Sequence, residues 1–237
     1  MLISARVIKA LGKLIDEKDP RRILHNLHVK PLEDGRTYIE TTDGKVGARV
    51  TVPQNGAEEC YLTPELIKSL RVKDWVGIRG HVVTVHQDKR RLVDEPSGDP
   101  IIDGATRYTA PAPGDLLSPE MKLRYNYGPD SKPTWGNFPD LGQVIPPAAR
   151  PFDYTTPPPT ATFTPHHLAR IVTASIELYA APEFTAAECL IEMDLRGKSD
   201  GPYAFRFCAL DGGSFVGVVM PYKIAKYSSV RSEENEA

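Results

Sequence analysis

Phe215-Val-Gly-Val-Val-Met-Pro-Tyr-Lys-Ile224 reads as a buried β-strand halted by a proline. Phe215, Val216, Val218 and Val219 are residues that suit a pleated, packed surface, and Pro221 cannot extend a hydrogen-bonded ladder. Working back along the chain, Tyr203 to Ala209 and Leu190 to Leu195 are strand-like too. In the latter, Ile191, Met193 and Leu195 alternate with Glu192 and Asp194. Asp211-Gly212-Gly213 between the last two strands reads as a hairpin turn.

Ahead of these strands lies an amphipathic helix that starts at Phe163-Thr-Pro-His166. Leu168, Ile171, Val172 and Ile176 are its apolar positions, and Arg170 is polar. The pattern of a helix followed by two or three antiparallel strands occurs twice more. One helix begins Leu62-Thr-Pro-Glu65, with threonine as N-cap, proline in the first turn and a glutamate beside it. Strands at Trp75 to Arg79 and His81 to His86 follow it. The other helix carries Val7, Leu11, Leu14 and Ile15 on one side and Arg6, Lys9 and Lys13 on another. After it come strands at Arg22 to Val29, Arg36 to Glu40 and Gly47 to Val52, with Asp34-Gly35 as a hairpin turn. The fold class is therefore α+β, built from repeated units of one helix plus antiparallel strands.

The interval from Asp94 to Thr160 breaks this rhythm. It holds 14 of the 22 prolines, which predicts extended loop in place of packed elements. Four parts result: a first domain over 1–146 with a proline-rich loop at 94–137 and a connector at 138–146, a linker at 147–160, a half-domain at 161–225, and a disordered acidic tail at 226–237.

Composition excludes several classes. With 41% apolar and 25% charged residues the chain suits a globular fold, and no apolar run of about 18 residues marks a membrane span. The basic, amphipathic N-terminus is followed at once by Asp16 and Glu17 and has no small-residue cleavage site, so it reads as a folded helix, not a targeting segment. Cys60, Cys189 and Cys208 form no CxxC, which predicts neither a zinc ribbon nor a disulfide framework, and a reducing compartment. A net charge of −2 leaves room only for a localised basic surface. His25 and His28 in one strand, His81 and His86 around another, and His166-His167 at a helix start have no third ligand at metal-binding spacing. There is no nucleophile elbow, Walker loop, dinucleotide fingerprint or metalloprotease helix. Asp99, Asp103 and Asp115 have no partner base, so neither catalytic residue nor cofactor is expected.

Three segments together resemble one family. The strand ending Val218-Val-Met-Pro221, the turn Thr42-Asp-Gly-Lys45 and the connector Phe138-Pro-Asp-Leu-Gly-Gln-Val-Ile-Pro146 are similar, in order, to segments of the bacterial replicative sliding clamp, the DNA polymerase III beta subunit. Residues 1–146 resemble that family's middle domain and 160–224 the second half of its last domain; counterparts of the rest are not found in the sequence. The resemblance implies the DNA-clamp fold, with helices lining a ring and sheets outside. It implies a non-enzymatic processivity factor that encircles duplex DNA and tethers a polymerase through an apolar peptide pocket. Carried over residue by residue, that pocket uses Thr42, Gly44, Pro139, Val144, Val218 and Met220. Lys45 stands where the family usually has histidine and Gln143 where it often has arginine.

The same resemblance turns the basic helix residues Arg6, Lys9, Lys13, Lys68, Arg71, Lys73 and Arg170 into a DNA-facing set, whereas the pattern alone reads them as ordinary solvated helix faces. It implies a clamp loader, other proteins that carry clamp-binding motifs, and a bacterial cytoplasm or nucleoid. The short length points to a bacteriophage or mobile element. Rings of this family hold twelve helices; three per chain predict four copies, or three if Leu116 to Tyr125 adds a helix. Helices roughly 10 Å apart put twelve on a circle about 38 Å across, leaving a hole of about 28 Å, whereas nine leave about 19 Å, too tight for hydrated duplex. The alternative is a clamp-fold protein that binds clamp-interacting peptides without encircling DNA.

Overall fold

The computed structural model describes residues 1–19, 21–54, 56–93, 104–112, 138–145, 164–184, 192–194, 203–208 and 214–219. Along the chain the elements are β1 (Leu2–Ser4), α1 (Ala5–Gly12), a 3₁₀ turn (Arg22–His25), β2 (Leu27–Pro31), β3 (Thr37–Thr42), β4 (Val46–Val52) and β5 (Cys60–Leu62). There follow α2 (Pro64–Ser69), β6 (Trp75–Arg79), β7 (Val82–His86), α3 (Lys89–Val93), β8 (Thr106–Thr109) and a 3₁₀ turn (Leu141–Gln143). The last are α4 (Pro165–Tyr179), β9 (Glu192–Asp194), β10 (Tyr203–Cys208) and β11 (Ser214–Val219).

Local chemistry accounts for the helix starts. Thr63 caps α2 by accepting a hydrogen bond from the Leu66 N–H, with Pro64 in the first turn where no N–H is needed. Pro165 takes the same first-turn position in α4, where Thr164 makes no side-chain cap bond. The Asp34-Gly35 turn closes the hairpin that pairs β2 with β3. The three expected helices are present. The short α3 packs instead on β6 and β7.

The strands form two antiparallel sheets. One has the order β1-β6-β7-β8; the other runs β5-β2-β3-β4-β11-β10-β9. The second is the more consequential, because β11 docks beside β4 with Phe215 opposite Val50, Gly217 opposite Ala48 and Val219 opposite Val46. Strands from residues 27–62 and from residues 192–219 therefore share one sheet. With both edges of β4 paired, Val46, Ala48, Val50 and Val52 are all buried.

The helices cover that sheet. α1 packs against both α2 and α4. α4 turns Ile171, Ala174, Ser175 and Leu178 inward, the i, i+3, i+4, i+7 face of a helix. These meet Val7, Leu11 and Leu14 together with Phe215 and Val219 in one core. Full burial of each large side chain contributes roughly 1.5–3 kcal/mol, so Phe215→Ala removes one of the largest buried side chains of the shared sheet. The other side of α4 leaves Val172, Ile176 and Tyr179 exposed.

Two expectations change. Arg22–His25 is a 3₁₀ turn, so the strand begins only at Leu27 and His25 is outside it. The Leu24 N–H donates to the Arg21 carbonyl and the Asn26 N–H to the Ile23 carbonyl, a local turn that the strand-like Ile23 and Leu24 do not announce. Within the proline-rich interval, 106–109 is a strand, β8, paired along the open edge of β7; Thr106-Arg-Tyr-Thr109 lies between prolines, and an edge strand tolerates them nearby. The 94–103 and 113–137 parts of that interval, the candidate helix at 116–125, the 147–160 linker, the 211–213 turn and the 226–237 tail lie outside the described residues.

Candidate functional site

The turn between β3 and β4 is built by two side chains. Thr42 Oγ1 donates to the Val46 carbonyl at 2.9 Å and accepts from the Gly44 N–H at 3.0 Å. Asp43 Oδ1 accepts from the Lys45 N–H at 2.8 Å and the Val46 N–H at 2.7 Å. Gly44 has φ +83°, a left-handed conformation that favours glycine. Burial alone pushes the Asp43 carboxyl up, but the Val46 N–H, the Arg170 guanidinium and the Lys45 N–H outweigh it and hold the group below its ordinary value. Arg21 Nη2 adds a bond to the Asp43 carbonyl at 3.1 Å.

The connector packs beside the turn, with Leu141 against Gly47 of β4. Asp140 caps its 3₁₀ turn by accepting from the Gly142 N–H at 2.9 Å. Ahead of it, the Phe138 ring lies 4.8 Å from the imidazole of His28, which stacks at 5.1 Å on Tyr61. His28 in turn bridges two carboxylates, with Nε2 2.8 Å from Glu59 and Nδ1 3.3 Å from Glu40. Glu40 also pairs with Arg49, whose guanidinium sits 4.1 Å over the Tyr38 ring. Burial first, and then Glu59, pushes the Tyr61 hydroxyl up to about 12, so it stays protonated.

Connector, turn and final strand converge on Gly47. A Cβ there would stand 3.2 Å from Val218 Cγ2, 3.3 Å from Leu141 Cδ2 and 3.3 Å from Thr42 Oγ1. The absence of a side chain is what admits all three. Of the six residues expected to form a pocket, Thr42 and Val218 are therefore brought together, both buried. Gly44 shapes the adjoining turn. Pro139 is exposed and Val144 half-buried on the connector. Met220 lies outside the described residues. Gly47, Leu141 and the His28–Phe138 stack were not anticipated. A glycine inside a strand otherwise rich in valine was the available signal for Gly47.

The helix cations fall into two groups. Lys13 pairs with Glu177, Lys68 Nζ lies 2.7 Å from Glu17, and Arg71 Nε lies 3.4 Å from Asp74. Lys9 Nζ donates to the Leu70 carbonyl at the end of α2, 3.0 Å away. Arg170 is turned inward, where it bonds Asp43 and the Leu14 carbonyl. Arg6 is half-buried and Lys73 exposed, and neither has a carboxylate partner among the described residues. Burial draws the His167 imidazole below its ordinary value; His166 is exposed on the same turn. No group of three or more His, Cys, Asp or Glu side chains is arranged to hold a metal ion among the described residues. Nor is any helix among them long and apolar enough to cross a membrane.

No family model and no curated protein matches the chain. Solved structures do. DNA polymerase III subunit beta from Borrelia burgdorferi, in complex with a natural product, is 10% identical, with 95% of this chain and 64% of that one covered at a TM-score of 0.51. The sliding clamp from Bartonella birtlesii bound to griselimycin is 11% identical over 94% of this chain and 66% of that one, at a TM-score of 0.48. Caulobacter crescentus pol III beta is 12% identical over 94% and 65%, at 0.43. The chain thus spans 64% to 66% of the length of these clamps. Its helices laid over shared antiparallel sheets give it the fold of the DNA polymerase III beta sliding clamp.

Proposed function

We propose that this chain is a DNA sliding clamp, a processivity factor that closes into a ring of copies around duplex DNA and tethers a DNA polymerase by a short peptide. The observation that carries this reading is the meeting of Thr42, Leu141 and Val218 over Gly47, at the seam where β11 joins β4. The three segments that resemble the family's peptide pocket converge there, within a clamp fold. Small and apolar walls, with Pro139 and Val144 alongside and Met220 next in sequence after β11, suit a short apolar peptide. Tethering raises the local concentration of the enzyme, so a weak contact retains it. No bond is made or broken. A closed ring also requires a loader to open it.

Calorimetry with the C-terminal peptide of the cognate polymerase tests the site. The double variant Met220→Ala, Val144→Ala is expected to lose binding; unchanged affinity would remove the pocket assignment.

A second reading, a clamp-fold protein that binds such peptides without encircling DNA, draws support from the acid partners of Lys13, Lys68, Arg71 and Arg170. Pairs near the surface such as Lys13–Glu177 and Lys68–Glu17 are worth little, roughly 0–1 kcal/mol, so phosphate can compete for these two lysines, whereas Arg71 faces a buried Asp74. Native mass decides between the readings. A four-chain particle supports the ring with three lining helices per copy, a three-chain particle requires a fourth, and a monomer at micromolar concentration supports the non-encircling protein.

A further inference from the structure

Arg170 is a cation on α4 whose side chain is only 15% exposed. Its two terminal nitrogens serve different segments of the first domain. Nη1 donates to Asp43 Oδ2, and Nη2 to the carbonyl of Leu14 just beyond the end of α1. Carbonyls at a helix end lack intrahelical partners, so Leu14 offers an acceptor that α1 itself cannot use. The planar guanidinium fork offers a separate nitrogen to each acceptor in a fixed geometry, where an ammonium would have a single nitrogen to share between them.

The two oxygens of Asp43 have separate tasks. Oδ1 accepts the Lys45 and Val46 N–H groups and so shapes the turn. Oδ2 receives Arg170 and so ties the turn to α4. Arg21 closes the other side: its Nη2 reaches the Asp43 carbonyl and lies 2.9 Å from where a Cβ on Gly44 would be. The turn and the Val218 wall belong to chain segments more than 150 residues apart in the sequence. Apart from the β4–β11 ladder, the guanidinium of Arg170 is the direct polar tie between the turn and the C-terminal half-domain among the described residues.

We propose that Arg170 is a positioning residue for the peptide site, holding the Thr42–Gly44 turn at a fixed height against α1 and α4, and thereby against Val218. This rests on the peptide-site reading for its consequence, but not for its geometry. An anchored turn keeps Thr42 facing Leu141 and Val218 before a peptide arrives, and preorganisation of that kind spares the binding step an ordering cost.

The test uses the full chain and two readouts. Amide exchange is followed at Lys45 and Val46, with Ile39 and Val50 in the flanking strands as internal controls. Binding is followed with a labelled peptide from the C-terminus of the cognate polymerase. Arg170→Met is expected to speed exchange at Lys45 and Val46 by about tenfold while leaving the strand amides unchanged, and to weaken the peptide by about tenfold. Asp43→Asn, which keeps an acceptor for the turn amides, is expected to weaken the peptide similarly. The double variant should bind no worse than the weaker single, because both act through one contact. If Arg170→Met fails to fold, Arg170→Lys replaces it and is expected to show smaller changes in the same direction in both readouts. Unchanged turn exchange, or additive losses that follow the melting temperature, would overturn the proposal. If the wild-type chain binds no peptide, the peptide-site reading fails, and the exchange measurement alone decides whether Arg170 anchors the turn.

Discussion

Leu141 Cδ2 lies 3.3 Å from the point where a Cβ on Gly47 would stand, so the connector rests directly on the backbone of β4. Thr42 and Val218 crowd the same point. Branched bulk at Gly47 must push at least one of the three aside. Gly47→Val is expected to destabilise the fold by about 1–3 kcal/mol, as overpacking does, and to weaken peptide binding through the displaced connector. Urea unfolding reads the first effect and calorimetry the second; a variant as stable as wild type would mean that Leu141 does not seat there.

Glu17 and Glu177 place carboxylates against Lys68 and Lys13 on the helix layer. If that layer meets phosphate, these acids compete with DNA. Glu17→Gln with Glu177→Gln is expected to strengthen duplex binding at low salt and to steepen its salt dependence by about 0.9 per lysine released, up to about two in all. Binding to a nonspecific duplex across a salt series measures this, and an unchanged slope places Lys13 and Lys68 away from the DNA.

Asp19 should make stability depend on acid. Hydrogen bonds from the Arg21 side chain hold its carboxyl down from 3.8 to about 2. Because the folded value lies below the unfolded one, the unfolded chain takes up the proton first as pH falls. The stabilisation is therefore complete above about 4 and disappears as pH drops through about 2. Asp43 is shifted in the same direction. Melting temperatures of wild type and Asp19→Asn are expected to differ at pH 5 and to approach each other towards pH 2. A difference that stays constant over that range would show that the Asp19–Arg21 pair is not formed in solution.

Cys60 in β5 is fully buried, and burial first, then Glu58 and Glu59, pushes its thiol up to about 12. The thiolate is the reactive form, so native protein at pH 8 is expected to leave Cys60 unalkylated by iodoacetamide, with labelling only in urea. Peptide mapping by mass spectrometry follows this residue alone; rapid native labelling would show β5 to be detached from β2.

Much of the fold was legible because its signals are local. Thr63-Pro64-Glu65 announces α2 within one turn, Asp34-Gly35 announces a hairpin, and the spacing of Ile171 and Leu178 announces the inner face of α4. The pairing of β11 with β4 is a non-local choice among open edges, and no short pattern in either strand selects it. The turn and connector were legible through resemblance, yet the residue on which they converge, Gly47, has no side chain to draw notice. Arg170 illustrates the remaining limit. A helical pattern shows that a cation is off the main apolar face, but a long side chain can still reach inward when a buried carboxylate such as Asp43 waits for it.

The β4–β11 ladder also sets an order of events during synthesis. About 160 residues separate the end of β4 at Val52 from the start of β11 at Ser214. At roughly 5–20 residues per second, the ribosome needs on the order of ten to thirty seconds to deliver the missing neighbour. Until then β4 presents a valine-rich, unpaired edge, the kind of surface to which another nascent chain can add a strand. On the ring reading proposed above, that interval matters: a β11 from a neighbouring chain that arrives first would satisfy the edge equally well and exchange C-terminal segments between the two molecules.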